Sequence, residues 1–355
     1  MAKSSFISSG AKIKVIGCGG SGSNAVTRMV REQILGVEFF ALNTDAQHLA
    51  VSEAPNRIQI GERVTRGLGA GGDNKVGRRA AEESCDEIAG AITGADMVFI
   101  AAGMGGGTGT GSAPVVAEIA KRSGALTIAI VTKPFGFEGA RRYKVAQEGI
   151  SNLLEKVDTL VLVPNDRLLA LCDRKTNVDN AFKFADDVLM QGVRAITEII
   201  TVPGLINLDF ADVRSIMKDA GPAWMSIGYG TGQNRAVDAA RQALASPLLD
   251  VSMEGATGVL FNVTGSDLTL YEVSNAAEVI KNSVNPDANV IFGVELDPNM
   301  GKDVKLTLIA TGFATKEGLA GAARDREIQR LIKGTRPEEF EVPAFIRQSA
   351  VSGKY

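Results

Sequence analysis

Short, nearly continuous apolar runs alternate with longer amphipathic stretches in the first half of the chain. Buried strands of a parallel sheet have this pattern because both of their faces are covered by helices. The apolar runs predict strands at Ile13–Ile16, Val37–Leu42, Ile58–Ile60, Met97–Ala102, Leu126–Val131 and Thr159–Val163. The amphipathic stretches predict helices at Asn24–Arg31, Lys75–Ile92, Val115–Arg122 and Tyr143–Val157. The pattern therefore predicts an α/β fold with a Rossmann-like parallel sheet.

A long helix, Val178–Ile200, follows this region and is predicted to end before Pro203-Gly204. Beyond it, strands are predicted at Trp224–Tyr229, Gly258–Thr264, Val290–Glu295 and Val304–Thr311, and helices at Arg235–Leu244 and Tyr271–Val284. These elements predict a smaller mixed α/β domain. We divide the chain into a disordered N-terminus (1–11), a first domain (12–177), a connecting helix (178–202), a second domain (203–315), a linker (316–337) and a C-terminal segment (338–355).

Composition excludes several classes of protein. A formal charge of −3, from 38 basic and 41 acidic residues, argues against a nucleic-acid binder. Three scattered cysteines make no disulfide framework, and no leader or membrane-spanning run is present, so we expect a cytoplasmic protein. The single histidine, His48, excludes His-based triads, and we expect it at the surface or its boundary.

Three glycine-rich loops follow predicted strands, at 17–22, 67–72 and 105–111. Glycine lets the backbone approach a phosphate closely, and a following helix N-terminus adds free amides and positive potential. The third of these loops, Gly-Gly-Gly-Thr-Gly-Thr-Gly, lacks the lysine of an ordinary P-loop. The first matches G-x-G-x-x-G, and Asp45 after the second strand could bind a ribose, which would fit a nicotinamide-dependent oxidoreductase. Three such loops at one sheet edge favour a nucleoside triphosphate, since a dinucleotide normally uses one.

Together these loops resemble the FtsZ family, the bacterial relatives of tubulin. The resemblance covers roughly Lys12 to Phe313. It rests on the GGGTGTG signature, on NLDFADV at Asn207–Val213, on NDRL at Asn165–Leu168, on FGFEG at Phe135–Gly139 and on the tail peptide VPAFIR.

The resemblance implies a protein that binds GTP or GDP and hydrolyses GTP, with Mg²⁺ held mainly through phosphates and water. It implies nucleotide contacts at Gly19, Gly20, Ser21, Asn24, Gly71, Gly72, Gly106, Gly107, Thr108, Gly109, Glu138, Arg142, Asn165, Phe182 and Asp186. Glu138 and Arg142 are also spaced as an ordinary i,i+4 surface salt bridge. Asp186 can accept from guanine N1–H and N2–H₂ together, which adenine cannot offer, and Phe182 one turn earlier shares its helix face. Asp187 points elsewhere and is expected to be solvated.

The acidic motif after the long helix carries the predicted catalysis. Asp209 and Asp212 share a helical face and could orient a water for attack on the γ-phosphate, with Asn207 beside them. The simpler interpretation of the two acids is helix capping, and for Asp209 both can hold. The resemblance implies that these residues complete the nucleotide site of the next subunit, which builds head-to-tail filaments. It further implies a division ring at midcell, turned over by hydrolysis and tethered to partner proteins through Val342, Pro343, Ala344, Phe345, Ile346 and Arg347.

The second glycine loop departs from the family pattern. Asp73 stands near the expected γ-phosphate, and a proline usual in the family is missing. Separately, a nucleotide-gated structural polymer with negligible hydrolysis is an alternative to the GTPase.

Overall fold

The computed structural model describes residues 10–169, 177–201, 209–246, 248–249 and 253–313. Among these residues, six strands are each followed by at least one helix, and nine helices lie up to the end of the long helix. The strands are β1 (Ile13–Cys18), β2 (Val37–Asn43), β3 (Asn56–Gln59), β4 (Met97–Gly103), β5 (Leu126–Lys133) and β6 (Thr159–Pro164). The helices are α1 (Gly19–Arg31), α2 (Ala46–Ala50), α3 (Glu62–Thr65), α4 (Asn74–Glu83), α5 (Cys85–Ile92), α6 (Thr108–Arg122), α7 (Ala140–Leu154), α8 (Asn165–Leu168) and α9 (Val178–Thr201).

The second half adds strands and helices in a mixed arrangement. Its elements are α10 (Phe210–Met217), β7 (Gly221–Gly230), α11 (Arg235–Leu244), β8 (Gly258–Gly265), α12 (Leu270–Lys281), β9 (Asn289–Leu296) and β10 (Val304–Thr311). Each predicted strand is present in the described residues, with ends that differ from the prediction by no more than three residues.

All ten of these strands form one sheet in the order β3-β2-β1-β4-β5-β6-β7-β10-β8-β9. The strands from β3 to β7 run parallel, whereas β10 runs antiparallel to both of its neighbours. The Rossmann-like fold class is confirmed. The sequence did not predict that β6 and β7 pair over Thr159–Val161 and Gly221–Ala223, so that the sheet as well as α9 joins the two halves.

Three helix predictions were inaccurate, the smallest difference being that α1 begins at Gly19 rather than at Asn24. The predicted helix Lys75–Ile92 is broken at Ser84, whose hydroxyl accepts a hydrogen bond from Gly61 N at 3.1 Å instead of pointing to solvent. Helix α6 begins at Thr108, well before the predicted Val115, although glycine is a poor helix former. A Cβ on Gly111 would lie 2.2 Å from Asn74 O, so glycine is what lets α6 pack directly on the backbone of α4.

The long helix α9 joins the cores of the two halves. Its buried residues, among them Leu189, Val193 and Ile196, pack in one apolar cluster with Ile130 of β5 and Leu260 of β8. No helix in the part of the chain that the structure describes is long and apolar enough to cross a membrane. The predicted disordered N-terminus, apart from its last two residues, the linker and the C-terminal segment lie outside the described residues.

Candidate functional site

A cavity of about 260 Å³ lies at the carboxyl edge of the first-half strands. Strands β1, β4 and β5 end at its wall, and α8 begins there directly after β6. Ligands of open α/β sheets bind at this edge. The predicted contacts that line it are Gly20, Ser21, Gly106, Gly107, Thr108, Gly109, Glu138, Arg142, Asn165, Phe182 and Asp186. Sequence reasoning missed Cys18, Gly103, Met104, Thr132, Pro134 and Ala185, whose only signal is their place at or near strand ends or one turn from a predicted contact.

One wall of the cavity presents backbone N–H groups, the donors that suit an anion. The signature loop runs into α6, and within the described chain no side chain caps this helix, so its first amides remain free donors. A Cβ on Gly106 would meet no atom within 4 Å, whereas one on Gly109 would lie 2.9 Å from Cys18 O. The loop thus packs closely on β1 and opens toward the cavity. Thr108 Oγ1 lies 2.6 Å from Thr44 Oγ1, which orients a further hydroxyl there.

Asp186 lines the same cavity and lies beside Ser21 of the first glycine loop. Its side chain is only 8% exposed, and burial raises its pKa to about 6, against the opposing effects of the Ser21 hydrogen bond and the Arg28 charge. Ser21 Oγ donates to its Oδ1 at 3.2 Å, which leaves most of its acceptor capacity for a ligand. Asp187 is not simply solvated as expected: it forms an ion pair with Arg28 of α1, because the two helices pack together.

An aromatic ring, Phe182, and a buried amide, Asn165, also line the cavity. Phe182 is 40% exposed and meets Phe135 edge-on, with ring centroids 5.4 Å apart. Phe137, which the sequence did not single out, stacks on Phe135 at 5.0 Å. Asn165 is buried, and its Oδ1 has no hydrogen-bond partner among the described residues. An orphaned acceptor costs free energy unless a ligand donates to it, so the cavity fits a planar base that carries donors.

Glu138 and Arg142 fit both interpretations offered for them. Arg142 Nη1 donates to Glu138 Oε2 at 2.6 Å, so the i,i+4 salt bridge is present. Glu138 Oε1 also accepts from Phe135 N at 2.9 Å. Both residues line the cavity as well, so the pair is available to a sugar or a phosphate.

Four predicted contacts are not part of the cavity lining. Gly19 is buried with φ +72° and packs against Gly109, so it shapes the loop from behind. Asn24 is exposed on α1. Gly71 and Gly72 are exposed in the second glycine loop, both with positive φ. They border the site through Gly107, since a Cβ there would lie 2.8 Å from Ala70 Cβ.

Two acids near this edge cap their own helices. Asp73 caps α4 by accepting from Lys75 N at 2.8 Å. Asp45 likewise caps α2, accepting from His48 N at 3.0 Å, and does not line the cavity as a ribose ligand would. His48 is half-buried, as expected for a boundary residue.

The predicted catalytic acids lie apart from the cavity. Asp209 and Asp212 are both exposed at the start of α10, and neither lines the cavity. Asp209 Oδ1 accepts from Asp212 N at 2.8 Å, which confirms the capping role of Asp209. Asn207 lies outside the described residues.

Comparison with known proteins decides the family. A model of the Tubulin/FtsZ family, GTPase domain, matches residues 12–173, and one of the FtsZ family, C-terminal domain, matches residues 221–314. An empty FtsZ dimer from M. jannaschii is 48% identical with a TM-score of 0.83, over 86% of this chain and 89% of that chain. The chain belongs to the FtsZ family.

More distant solved structures share the fold. CetZ1 from Haloferax volcanii, a GDP-bound monomer, is 22% identical with a TM-score of 0.75, over 90% of this chain and 99% of that chain. CetZ2 from the same organism, a GTPγS-bound protofilament, is 20% identical with a TM-score of 0.73 and the same coverage.

The GTPase domain of the FtsZ family binds GTP and GDP and hydrolyses GTP, so the predicted enzyme class is confirmed. The nicotinamide alternative is thereby set aside. Residues 174–220 lie between the two matched spans and carry Phe182, Asp186, Asp209 and Asp212. Their roles therefore rest on geometry.

Within the described residues, no group of three or more His, Cys, Asp or Glu side chains could hold a metal ion.

Proposed function

We propose that the cavity holds a guanine nucleotide with its base at Asp186 and its phosphates at the signature loop. Asp186 accepts from N1–H and the exocyclic amine, Asn165 Oδ1 accepts from a base donor, and Phe182 packs on the ring. The amides of Gly106, Gly107 and Gly109, the Thr108 hydroxyl and the N-terminus of α6 bind the phosphates from one side. Gly20 and Ser21 of the first loop bind them from the other, with Gly19 shaping that loop and Asn24 beside it.

The remaining predicted contacts, which are Glu138, Arg142, Gly71 and Gly72, are assigned to the ribose and the phosphates. Glu138 accepts from the ribose hydroxyls while Arg142 reaches ribose or phosphate. Gly71 and Gly72 approach the γ-phosphate through the second glycine loop. Mg²⁺, bound through phosphate oxygens and water, would neutralise phosphate charge, and the protein supplies amides rather than carboxylates around it.

We further propose that hydrolysis takes place between two subunits. The observation that carries this proposal is that Asp209 and Asp212 are exposed on α10 and do not line the cavity of their own chain. When α10 of one subunit meets the cavity of the next, these carboxylates can orient and polarise the attacking water. Asn207 would stand beside them. A contact between two different faces repeats without closing, so the product is a head-to-tail filament. The CetZ2 protofilament and the FtsZ dimer among the similar structures support self-association.

In the cell we propose a cytoplasmic filament that forms the division ring at the future septum at midcell. GTP hydrolysis would weaken the subunit contact and so drive filament turnover. The peptide Val342–Arg347 would bind membrane tethers and division regulators, and many weak tail contacts along one filament would add up to firm attachment.

Light scattering and pelleting with GTP, GDP, ATP and NAD test the assembly proposal. We expect polymer with GTP, and polymer with ATP or NAD but not GTP would contradict it. Removal of residues 338–355 should leave GTP-dependent pelleting intact and abolish tether binding. Polymer that forms but releases no phosphate would favour the nucleotide-gated structural polymer instead.

A further inference from the structure

The C-terminal end of α10 is held by a cluster of polar contacts that the catalytic proposal does not use. Lys121, near the end of α6, donates to Asp219 Oδ1 at 3.0 Å and lies 3.3 Å from Asp158 Oδ1. Asp219 follows α10 by two residues, and Asp158 directly precedes β6. One ammonium group thus joins α6, the β5–β6 end of the sheet and the exit of α10.

Asp158 anchors this cluster to the sheet. Its side chain is 6% exposed, and its Oδ2 accepts from Thr127 N of β5 at 2.8 Å. Its backbone oxygen accepts from Gly221 N at 2.8 Å, at the start of β7. Thr159 Oγ1 donates to Met217 O, the last residue of α10. These contacts fix the point at which the chain leaves α10 and enters the sheet.

The backbone of Asp219 is specialised for this position. Its φ is +51°, a left-handed conformation that favours glycine, asparagine and aspartate. The hydrogen bond from Lys121 lowers the pKa of the Asp219 carboxyl. Asp219 therefore both turns the chain and accepts from Lys121.

We propose that Lys121 is a positioning residue for GTP hydrolysis, because its contacts with Asp219 and Asp158 fix the orientation of α10 and hence of Asp209 and Asp212. Lys121 has this role only if the two acids act as proposed, so it rests on the proposed function. At 1.5 Å per residue, Asp209 lies about 12 Å from the end of α10. A tilt of about 5° about that end moves Asp209 by about 1 Å, and an error of that size can cost up to about a hundredfold in rate.

Helix α6, which carries Lys121, also contributes to the cavity. The same helix begins at Thr108 in the cavity wall and contacts Asp219 just after α10, so one helix connects the cavity with the exit of α10. The acids offered to the neighbouring subunit are therefore positioned by the helix that binds this subunit's own phosphates.

Two variants break the contact in different ways. Lys121→Met removes the donor but leaves the buried Asp158 carboxylate without its ion pair, which can destabilise the fold. Asp219→Gly removes the acceptor, suits the positive φ and leaves the Lys121–Asp158 pair in place. The matched controls are Lys156→Met, which removes an ion pair with Glu118 on the same α6, and Gln33→Gly, at a φ of +54° far along the chain from α10. Lys121→Arg keeps a positively charged donor at this position and should retain GTP hydrolysis.

We expect kcat above the assembly threshold to fall about tenfold in Lys121→Met and Asp219→Gly, with GTP affinity and the assembly threshold within about twofold of wild type. Hydrogen exchange should accelerate at the amides of 213–218 more than in α12. Both controls and Lys121→Arg should keep kcat within about twofold. Unchanged kcat in both variants, or exchange that accelerates equally everywhere, would overturn the positioning role.

Measuring Asp212→Ala in parallel distinguishes failure of the positioning role of Lys121 from failure of the proposed catalytic acids. If Asp212→Ala is inactive and the Lys121 and Asp219 variants are normal, the positioning role alone fails. If Asp212→Ala hydrolyses GTP at the wild-type rate, the proposed acids fail, and the role of Lys121 fails with them.

Discussion

Replacing Asp186 with asparagine should switch the base preference of the site from guanine to xanthine. The carboxylate accepts from two guanine donors, whereas the asparagine amide offers one acceptor and one donor. The donor then faces the exocyclic amine of guanine, a mismatch, but it can bond the C2 carbonyl of xanthine. Asp186 is the natural place for this test because its side chain is 8% exposed and water cannot readily replace the lost contacts.

The size of the effect follows from two hydrogen bonds to a charged acceptor. Each is worth about 1.5–3 kcal/mol. The variant loses the bond from the exocyclic amine, keeps only a weaker, uncharged bond from N1–H and places two donors against each other, so the cost is about 3 kcal/mol, or roughly a hundredfold in GTP affinity. We expect Asp186→Asn to bind XTP within about tenfold of the wild-type affinity for GTP. Fluorescence titration at pH 7.5 with labelled nucleotides measures both affinities. The neighbouring Asp187→Asn, which loses only its ion pair with Arg28, should change GTP affinity less than about threefold.

Equal GTP affinity in Asp186→Asn and wild type would refute the assignment of Asp186 to the base. Loss of both GTP and XTP binding in a folded Asp186→Asn variant would refute the proposed pairing geometry.

Three further results are expected. Because the pKa of Asp186 is raised to about 6, its carboxylate protonates as the pH falls through 6. GTP affinity, measured by titration, should therefore drop about tenfold between pH 7.5 and 5. An affinity that does not change over this range would contradict the prediction. Asp212→Ala should bind GTP normally while phosphate release falls by about two orders of magnitude, and wild-type release would count against that acid. Arg235→Met should lower the free energy of unfolding, measured in urea, by about 2–3 kcal/mol, because buried Arg235 forms an ion pair with Glu272 at 2.7 Å. Lys183→Met, which removes an exposed ion pair with Asp179, should lower it by less than about 0.5 kcal/mol. Equal losses would show that the burial of Arg235 does not matter.

Sequence predicted what depends on local pattern. The strands were predictable because buried parallel strands are apolar on both faces, as in Met97–Gly103. The early start of α6 was not, because the packing of Gly111 on α4 overrides the low helix propensity of glycine. The continuous sheet was also unpredicted, since the β6–β7 pairing joins segments about sixty residues apart by only three residue pairs.

The candidate site likewise has one part that sequence pattern predicts and one part that depends on contacts between distant residues. Glycine loops and strand ends are sequence signals, and they predicted that Gly106, Gly107, Thr108 and Gly109 would line the cavity. The hydrogen bond from Ser21 to Asp186 joins residues 165 positions apart, and the Arg28–Asp187 ion pair joins residues 159 apart. No periodicity reports such contacts, so the surroundings of both carboxylates required the structure.

A mixture of two variants tests most directly whether hydrolysis is completed by a neighbouring subunit. Asp212→Ala subunits would hold γ-labelled GTP but lack a catalytic acid, while Asp186→Asn subunits would keep the acids and hold unlabelled XTP. Asp212→Ala mixed with the double variant Asp186→Asn/Asp212→Ala sets the background. If α10 acts on the next subunit, co-polymers should release labelled phosphate well above that background. If the acids serve the nucleotide of their own chain, release should stay at the background, and the account of a shared site would be wrong.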